Sequence, residues 1–376
     1  MVILLNTSNL YVGGGVQVAL SFINVIKNID PDNTYHIFLS TTIAKQITQE
    51  EFPDNVYFYV IEKSPSIIKS RNKIVKTLDI LEGRIDPDVV FSVFGPTYWR
   101  PKARHIVGFA LGWITNPTSE AYKALNFKQK IKRRLDTIYK SYYFKRDADI
   151  YIVETEDVKE KLFKVFDTSK EKTFVVGNTH SSFFNGKDYP AFKLLDRKKK
   201  EFRLVTIAHN YSHKNIKIIK EVLPYLKDRE MNYKFFITID DESFNSLFKN
   251  YKEQVINLGP VKSKYCPSLY KQCDALFLPT LLESFTASYP EAMKMKKPIC
   301  TSDLSFAHSI CQGAALYFDP LDSKDIADKI MQLAESQFLQ KELISKGTER
   351  LKAFETAESR ASRYLEVCKK VFLKEI

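Results

Sequence analysis

The sequence predicts an α/β protein of two domains, each a parallel sheet covered by helices. The chain has 376 residues, more than one hydrophobic core usually organises, so two domains of roughly 180 residues are expected. Short β-rich runs alternate with helical patterns from the first residues onward, which is typical of parallel sheets with helices on their faces. A charged stretch containing Gly and Pro at 186–201 divides this alternation into two series of similar length.

The predicted strands follow this division. The first series comprises 2–6, 35–39, 56–61, 89–93, 106–111 and 150–153. The second comprises 203–208, 234–239, 254–257, 275–278, 298–300 and 315–318. We therefore predict an N-terminal domain at 1–185, a linker at 186–201, a C-terminal domain at 202–350 and a terminal helix at 351–376. Two such domains would leave a cleft between them, and ligands of parallel sheets bind at the carboxyl ends of the strands.

The composition disfavours several classes of protein. Its apolar runs are shorter than the ~18 to 20 residues needed to cross a bilayer. The apolar start at Val2 has neither a basic segment before it nor a cleavage site after it, so we expect a cytoplasmic protein. The five cysteines are odd in number and form no CxxC pair, which favours buried free thiols over disulfides or zinc ligands. We expect no metal site.

The positive charge predicts an anionic partner. The net charge of +12 suits a nucleic acid, an anionic membrane or a phosphorylated substrate. Between Lys123 and Arg146, nine basic residues stand against one acid, Asp136. Apolar residues recur at helical spacing in this segment, namely Phe127, Ile131, Leu135, Ile138 and Tyr142. The pattern indicates a basic amphipathic helix.

Two interpretations of this helix stay open. It fits a domain helix with a solvated outer face, and it fits a helix lying on a membrane surface. In the second interpretation the basic residues facing the lipid headgroups would be Lys128, Lys132, Arg133 and Arg134.

Three glycines, Gly13, Gly14 and Gly15, follow the first predicted strand and precede a helical run at 16–25. Glycines let the backbone approach a ligand closely, and the free N–H groups of a helix start favour an anion. The same residues would equally form a plain tight turn. The spacing is not GxGxxG, and no acidic residue stands ~20 residues on in the place that a dinucleotide fingerprint needs, so nicotinamide binding is disfavoured.

A second candidate loop follows the first strand of the second series and carries His209, Asn210, His213 and Lys214. A helix is predicted to open at Ile216. A lysine at such a junction can place its ammonium group against a diphosphate, supported by the helix dipole. The alternative is a surface loop with an ordinary N-cap.

The most specific pattern is the pair Glu283 and Glu291, which follows the predicted strand 275–278. We expect Glu283 in the strand-to-helix turn and Glu291 about two turns into the helix, which bounds their Cα separation near ~12 Å. This distance is enough to straddle a diphosphate with a sugar at each end. One carboxylate would then bind the transferred sugar and the other the ribose. The backbone N–H groups at 285–287 would meet the diphosphate between them. The alternative is two solvated glutamates.

This stretch resembles the E-x7-E signature of glycosyltransferase family 4, which comprises retaining enzymes of the GT-B fold. The resemblance covers most of the chain. The glycine turn falls at the family's N-terminal glycine loop, Lys214 and Asn215 fall at its phosphate lysine, and 258–261 matches the segment that meets the base. It implies two Rossmann-like domains facing an interdomain cleft, with a C-terminal helix that crosses back to the N-terminal domain.

The resemblance also implies a role for each matching residue. Glu283 and Lys214 would be catalytic, the first by binding the donor sugar and the second by stabilising the departing diphosphate. Glu291 would bind the ribose and Val261 the base. The other donor-binding residues would be Gly14, Gly15, His209, Asn210, Ser284, Phe285, Thr286 and Ala287. The nucleotide diphosphate sugar is a substrate, and no cofactor or metal is implied.

Three positions depart from the family pattern. The arginine usual before the phosphate lysine is missing, and His209 or Asn210 stands near its place. Thr286 replaces the glycine usual after the first Glu-x-Phe. The usual His-Asp pair of the first domain is absent, since His105 begins its strand while Gly112 and Trp113 occupy the other end. These two would lie on the acceptor side, where Trp113 would either stack on a sugar or cap the core.

We therefore predict a hexosyltransferase-type enzyme that moves a sugar from a nucleotide diphosphate sugar, UDP-linked in most of the family, to a glycan or lipid-linked acceptor. The expected setting is cell-surface polysaccharide synthesis, such as that of O-antigen, at the inner face of the cell membrane. A UDP-sugar 2-epimerase shares the fold but needs acid/base residues that are not evident here. A basic nucleic-acid-binding protein is the remaining alternative, although no RNP, KH or helix-turn-helix pattern is present.

Overall fold

The computed structural model describes residues 1–29, 31–166, 168–186, 188–227 and 229–376. The chain forms two compact units. The first unit comprises Met1–Thr115, Lys128–Asn178 and Glu355–Ile376, and the second comprises Asn116–Phe127 and Thr179–Phe354. The described residues of the predicted linker, 186 and 188–201, belong to the second unit. Leu194 is buried in one of that unit's cores, and Arg197 forms an ion pair with Asp274 at 2.8 Å.

The first sheet has seven strands among the described residues, and each neighbouring pair is parallel. The strands are β1 Val2–Thr7, β2 Thr34–Ser40, β3 Val56–Ile61, β4 Val89–Ser92, β5 His105–Phe109, β6 Ile150–Val153 and β7 Thr173–Val175. Their order across the sheet is β3-β2-β1-β4-β5-β6-β7. Strand β7 was not predicted from the sequence.

Helices cover both faces of this sheet. Ile3 and Leu5 point into one apolar cluster and Leu4 into another, as the two-residue period of a strand requires. The helices are α1 Gly14–Ile29, α2 Thr41–Ala44, α3 Arg71–Ile85, α4 Gly112–Thr115, α5 Phe127–Asp147 and α6 Glu156–Phe166. Helix α1 begins at Gly14 rather than at 16, so two of the three glycines belong to its first turn.

The second sheet has six parallel strands in the described part of the chain. They are β8 Glu201–Thr206, β9 Asn232–Ile237, β10 Val255–Asn257, β11 Ala275–Leu278, β12 Ile299–Ser302 and β13 Ala315–Phe318. The helices are α7 Ile219–Leu226, α8 Asp241–Phe248, α9 Cys266–Gln272, α10 Ser288–Lys294, α11 Ser305–Cys311, α12 Ser323–Glu335 and α13 Gln337–Leu351. The strand order is β10-β9-β8-β11-β12-β13.

The last helix, α14 Ala357–Phe372, returns to the first unit and packs on α1. The rings of Phe22 and Tyr364 meet edge to face at 5.3 Å between centroids, and Arg360 donates a hydrogen bond to Ser21 Oγ at 2.9 Å. The predicted return of the C-terminal helix is therefore confirmed. It starts at Ala357 rather than at 351, because α13 ends at Leu351 and Thr356 caps a new helix.

Both sheets have a position where the chain order reverses. In the first unit this position lies between β1 and β4, and in the second it lies between β8 and β11. Loops that leave neighbouring strands at such a position diverge, and ligands of open parallel sheets bind in the crevice that they leave. The two loops that the sequence singled out in the second unit follow β8 and β11.

Candidate active site

The loop after β8 positions Lys214. Residues Ser212–Lys214 form one turn of 3-10 helix, and Asn215 closes it in the left-handed conformation with φ of 53°. Asparagine tolerates this conformation better than most residues do. The Asn215 side chain is buried and donates a hydrogen bond to Pro320 O at 2.9 Å, which anchors the turn. A second 3-10 turn, Ile216–Ile218, precedes α7, so the regular helix begins later than the predicted Ile216.

The loop after β11 brings Glu283 to Lys214. The Lys214 ammonium group forms an ion pair with Glu283 Oε1, and the two side chains are only 16% and 10% exposed. The fully buried Thr280 lies with its hydroxyl 3.0 Å from Glu283 Oε1 and 3.1 Å from His213 O. The backbone N–H of Leu281 donates to the same His213 carbonyl at 2.7 Å. The two loops are thus joined by a short hydrogen-bonded network.

Sequence reasoning did not identify Thr280 or the fixing role of Asn215. A hydroxyl residue directly after a buried strand and an asparagine directly before a helix are the signals that were available for them. Because Thr280 holds the carboxylate and Asn215 holds the turn, the lysine and the glutamate are positioned before any ligand binds.

Glu291 lies in the first turn of α10, which corrects the prediction of about two turns into the helix. The helix starts at Ser288, because residues 284–287 remain irregular after β11. The spacing based on eight helical residues therefore does not apply. Desolvation raises the pKa of the Glu291 carboxyl to about 7. Burial is the main cause that raises the pKa of the Cys266 thiol to about 12, and the charge of Glu291 adds to it. Glu291 therefore lies near Cys266, the first residue of α9.

The segment from Ser284 to Ala287 connects the two glutamates. Thr286 is buried, and Phe285 is half-buried against a core cluster, with its ring 6.4 Å from that of Phe354. Ser284 Oγ is buried and has no hydrogen-bond partner among the described residues. Ala287 precedes the first residue of α10 and provides no side-chain cap.

The other predicted donor-binding residues of the second unit lie in two loops. His209 and Asn210 are exposed, and the His209 ring lies 5.7 Å from that of Tyr211. Val261 is half-buried against the same core cluster as Phe285. It follows Gly259, whose φ of 66° favours glycine.

The glycine turn belongs to the first unit. Gly13 adopts a φ of 80°, and Gly14 is the exposed first residue of α1. A Cβ atom on Gly15 would lie 3.3 Å from the Phe94 ring, which is a tight contact. The turn therefore needs glycine at 13 for its conformation and favours a small residue at 15 for packing.

The predicted acceptor-side residues lie in α4. Gly112 is buried, and the half-buried Trp113 packs beneath the Arg133 guanidinium group, whose carbon lies 4.6 Å from the ring centroid. Arg133 also forms an ion pair with Asp136 at 3.3 Å. Arg133 is therefore partly buried, whereas the other three predicted membrane-surface residues, Lys128, Lys132 and Arg134, are exposed.

His105 is a structural residue. Its Nδ1 lies 2.8 Å from Asp147 O and its Nε2 lies 2.7 Å from Ser92 Oγ, and the ring is fully buried. Burial lowers the pKa of His105 to about 4, so the ring is neutral at ordinary pH. In this position it cannot act as the histidine of a cleft-facing His-Asp pair.

All five cysteines are buried free thiols. Among the residues that the structure describes, no group of three or more metal-ligating side chains is assembled. Within the same residues, no helix is both long and apolar enough to cross a membrane.

Comparison with known structures identifies the fold of the protein. A glycosyltransferase from Rickettsia africae is 15% identical, with 98% of both chains covered and a TM-score of 0.71. HepE from Anabaena, solved with UDP and glucose, is 13% identical, with 98% of this chain and all of that chain covered (100%) and a TM-score of 0.68. WaaG, a glycosyltransferase involved in lipopolysaccharide biosynthesis, is 11% identical, with coverage of 98% and 99% and a TM-score of 0.70. The fold is therefore GT-B.

A family model matches part of the second unit. Residues 191–350 match the family described as glycosyl transferases group 1. No curated protein matches the chain. The protein is thus a glycosyltransferase with a group 1 domain in its second unit, and the resemblance to glycosyltransferase family 4 is confirmed. The matched range contains Lys214, Glu283 and Glu291.

Proposed function

We propose that the protein transfers a sugar from a UDP-linked donor to a glycan or lipid-linked acceptor, with retention of the anomeric configuration. The observation that carries the proposal is the ion pair of Lys214 with Glu283 in the loops after β8 and β11. A nearly buried cation beside a fixed carboxylate suits a ligand that presents a diphosphate and sugar hydroxyls together. HepE, solved with UDP and glucose, has the same fold.

In the proposed reaction, the donor binds and the ion pair between Lys214 and Glu283 breaks. The Lys214 ammonium group then binds the donor diphosphate. Glu283, still held by Thr280, then accepts hydrogen bonds from hydroxyls of the donor sugar. Glu291 binds the ribose and Val261 contacts the base. The buried Ser284 hydroxyl and the backbone at 285–287 supply further hydrogen-bonding groups near the phosphates.

The bond changes need no protein nucleophile. The bond from the anomeric carbon to the phosphate oxygen breaks as the acceptor oxygen bonds to that carbon on the same face. The acceptor hydroxyl proton passes to the departing phosphate oxygen, and the products are a glycoside and UDP. Lys214 stabilises the negative charge that develops on the diphosphate, and this electrostatic effect is the main source of rate enhancement.

We further propose that the acceptor belongs to cell-surface polysaccharide synthesis at the inner face of the cell membrane. Two observations support this setting. The basic helix α5 carries exposed apolar residues, and WaaG, a glycosyltransferase involved in lipopolysaccharide biosynthesis, has the same fold.

A panel of nucleotide sugars tests the donor by thermal shift, because a true donor stabilises the fold by mass action. With the identified donor, Glu283→Gln is expected to lower kcat by at least about a hundredfold, since the amide binds sugar hydroxyls poorly in the transition state. Binding of UDP alone should persist. A wild-type kcat in Glu283→Gln would overturn the proposal, and isomerisation of the donor without an acceptor would indicate an epimerase.

A further inference from the structure

Helix α5 presents an apolar stripe to solvent on the side opposite to its packed face. Of its 21 residues, only Phe144 and Asp147 are buried. The stripe consists of Phe127, Ile131, Leu135, Ile138 and Tyr142, which are 46% to 76% exposed. At ~100° per residue these five side chains fall within an arc of about 80°, and Phe144 points to the other side.

Lysine and arginine side chains border the stripe. Lys128, Lys132, Arg134 and Lys145 are exposed along the same helix, whereas Arg133 and Lys140 pair with Asp136. An apolar strip bordered by flexible cations suits the boundary between lipid headgroups and acyl chains. The apolar residues gain from burial there, and the cations from anionic headgroups.

A second exposed apolar element lies beside the helix. The loop between β3 and α3 exposes Ile67 and Ile68, the latter to 74%, and also Lys69. This loop was not predicted as a site, because two isoleucines in a short loop give no periodic signal.

Arg71 joins the loop to α5. Its Nε donates to Pro65 O at 2.8 Å and its Nη2 to Ser66 O at 3.0 Å, while Nη1 donates to Tyr143 OH of α5 at 2.6 Å. The guanidinium group also packs over the rings of Tyr98 and Tyr143. The loop and α5 from Lys128 onward belong to the first unit, and the Arg71 contacts hold them together as one surface.

We propose that α5 and the loop at 64–70 form a composite surface that docks on an anionic lipid bilayer, with Ile67 and Ile68 inserted beside the helix. The inference rests on the membrane setting proposed above and is independent of the transfer chemistry. A second copy of the chain is a poor occupant, because a symmetric contact would bring the bordering lysines of both copies together. Nucleic acid would leave Ile131, Leu135 and Ile138 of the stripe without an apolar partner.

Flotation of the full chain with vesicles tests the surface. The protein should float with an equal mixture of phosphatidylcholine and phosphatidylglycerol and remain in solution with phosphatidylcholine alone. The double variant Leu135→Asp, Ile138→Asp is expected to bind at least about tenfold more weakly, because it removes two apolar side chains from the acyl boundary. Lys132→Glu should weaken binding about fivefold or more, since one cation near an anionic surface contributes about that much.

Ile68→Asp tests whether the loop is part of the docking surface. It should weaken binding about tenfold, because it removes an apolar side chain from the acyl boundary. The matched control is Phe338→Asp, because Phe338 is a similarly exposed apolar residue on α13 of the second unit. This control should float like the wild type. Flotation of Ile68→Asp at the wild-type level would overturn the inclusion of the loop.

Two further outcomes separate this inference from the proposed function. A wild-type protein that stays in solution with anionic vesicles, or an α5 variant that changes oligomeric state without changing flotation, would overturn the docking surface. Thermal stabilisation by UDP should be equal in the wild type and all these variants. If UDP did not stabilise the wild type, that result would instead contradict the proposed donor, whatever the flotation result.

Discussion

The two units share a strand order at their centres but differ in the chemistry placed there. In the second unit, the loops after β8 and β11 hold Lys214 and Glu283 as a charged pair that solvent still reaches. In the first unit, the strands around β1 and β4 hold a buried and uncharged network of Asn6, Ser92 and His105. One arrangement keeps charges available to a ligand, and the other uses polar groups to hold the sheet together.

In the network of the first unit, the donor and the acceptor of each hydrogen bond can be assigned. The Asn6 amide donates to Ser92 Oγ at 2.9 Å. Because His105 Nδ1 must donate to Asp147 O, its Nε2 accepts from the Ser92 hydroxyl. Each of these side chains is hydrogen-bonded to the next, so the network stabilises the fold without a charged group. The comparison teaches that the same topology serves cohesion in one unit and, in the function proposed here, ligand binding in the other.

Lys214→Ala should have the largest effect on function. Removing the cation should lower kcat/KM by about a thousandfold and weaken UDP binding, because the diphosphate loses its main counter-charge in both the ground state and the transition state. Lys217→Ala is the matched control, since Lys217 is an exposed lysine of the following turn. Steady-state kinetics and UDP titration measure the difference. Equal loss in the two variants would assign the effect to net charge rather than to the site.

His105→Asn should destabilise the first unit by about 2 to 3 kcal/mol, because Ser92 or Asp147 O loses its buried partner. Hydrogen exchange in β4 and β5 reports this locally. His209→Asn, which changes an exposed histidine of the second unit, serves as the stability control. Since the pKa of His105 is lowered to about 4, its contribution is present above pH ~6.5 and is lost as pH falls toward 4. A wild-type pH profile in His105→Asn would contradict this assignment.

Much of this contrast is accessible from the sequence. Alternating β-rich and helical runs predicted the strands, and neighbouring strands at a chain reversal bring their loops together. Lys214 and Glu283 were therefore named as parts of one site although 69 positions separate them. Their direct ion pair was not predicted, because pairing depends on the rotamers that Thr280 and the two loops allow.

Other features depend on packing that a sequence pattern does not encode. The start of α10 was misplaced, because no side chain caps that helix and Phe285 packs into the core instead of starting a turn. The exposed stripe of α5 illustrates the converse. Its periodicity was visible, but which face of the helix packs depends on distant contacts such as Arg71 with Tyr143.

Glu291 should give the donor site a pH dependence opposite to that of the histidine network. With a pKa raised to about 7 by desolvation, its contribution to stability is present below pH ~4.3 and is lost as pH rises through 7. In its proposed role, the Glu291 carboxylate accepts hydrogen bonds from the ribose hydroxyls, so binding needs the ionised form. UDP affinity should therefore rise as pH rises through about 7, by up to about tenfold, for a hydrogen bond to a charged group of about 1.5 kcal/mol.

Glu291→Gln is the test of this dependence, because the amide has nearly the same shape and does not titrate. Isothermal titration with UDP across pH 6 to 8 should give a rising affinity for the wild type and a flat profile for the variant. A rise that persists in Glu291→Gln would assign the titration to the second phosphate ionisation of UDP.

Gln312→Gly should have the smallest effect, and it separates backbone strain from function within the second unit. Gln312 has φ of 50° and ψ of −126°, a conformation that glycine adopts without a Cβ clash. Asn215 also has a positive φ, but its side chain is bonded to Pro320 O and its turn carries Lys214. Gln312→Gly should raise stability by about 1 kcal/mol, measured as a higher Tm, and leave transfer unchanged. Asn215→Gly should relieve a smaller backbone cost, because asparagine tolerates the left-handed conformation, yet lower kcat, because it removes the bond that fixes the turn. Equal kinetic effects in the two variants would mean that the conformation at 215, and not its tether, positions the lysine.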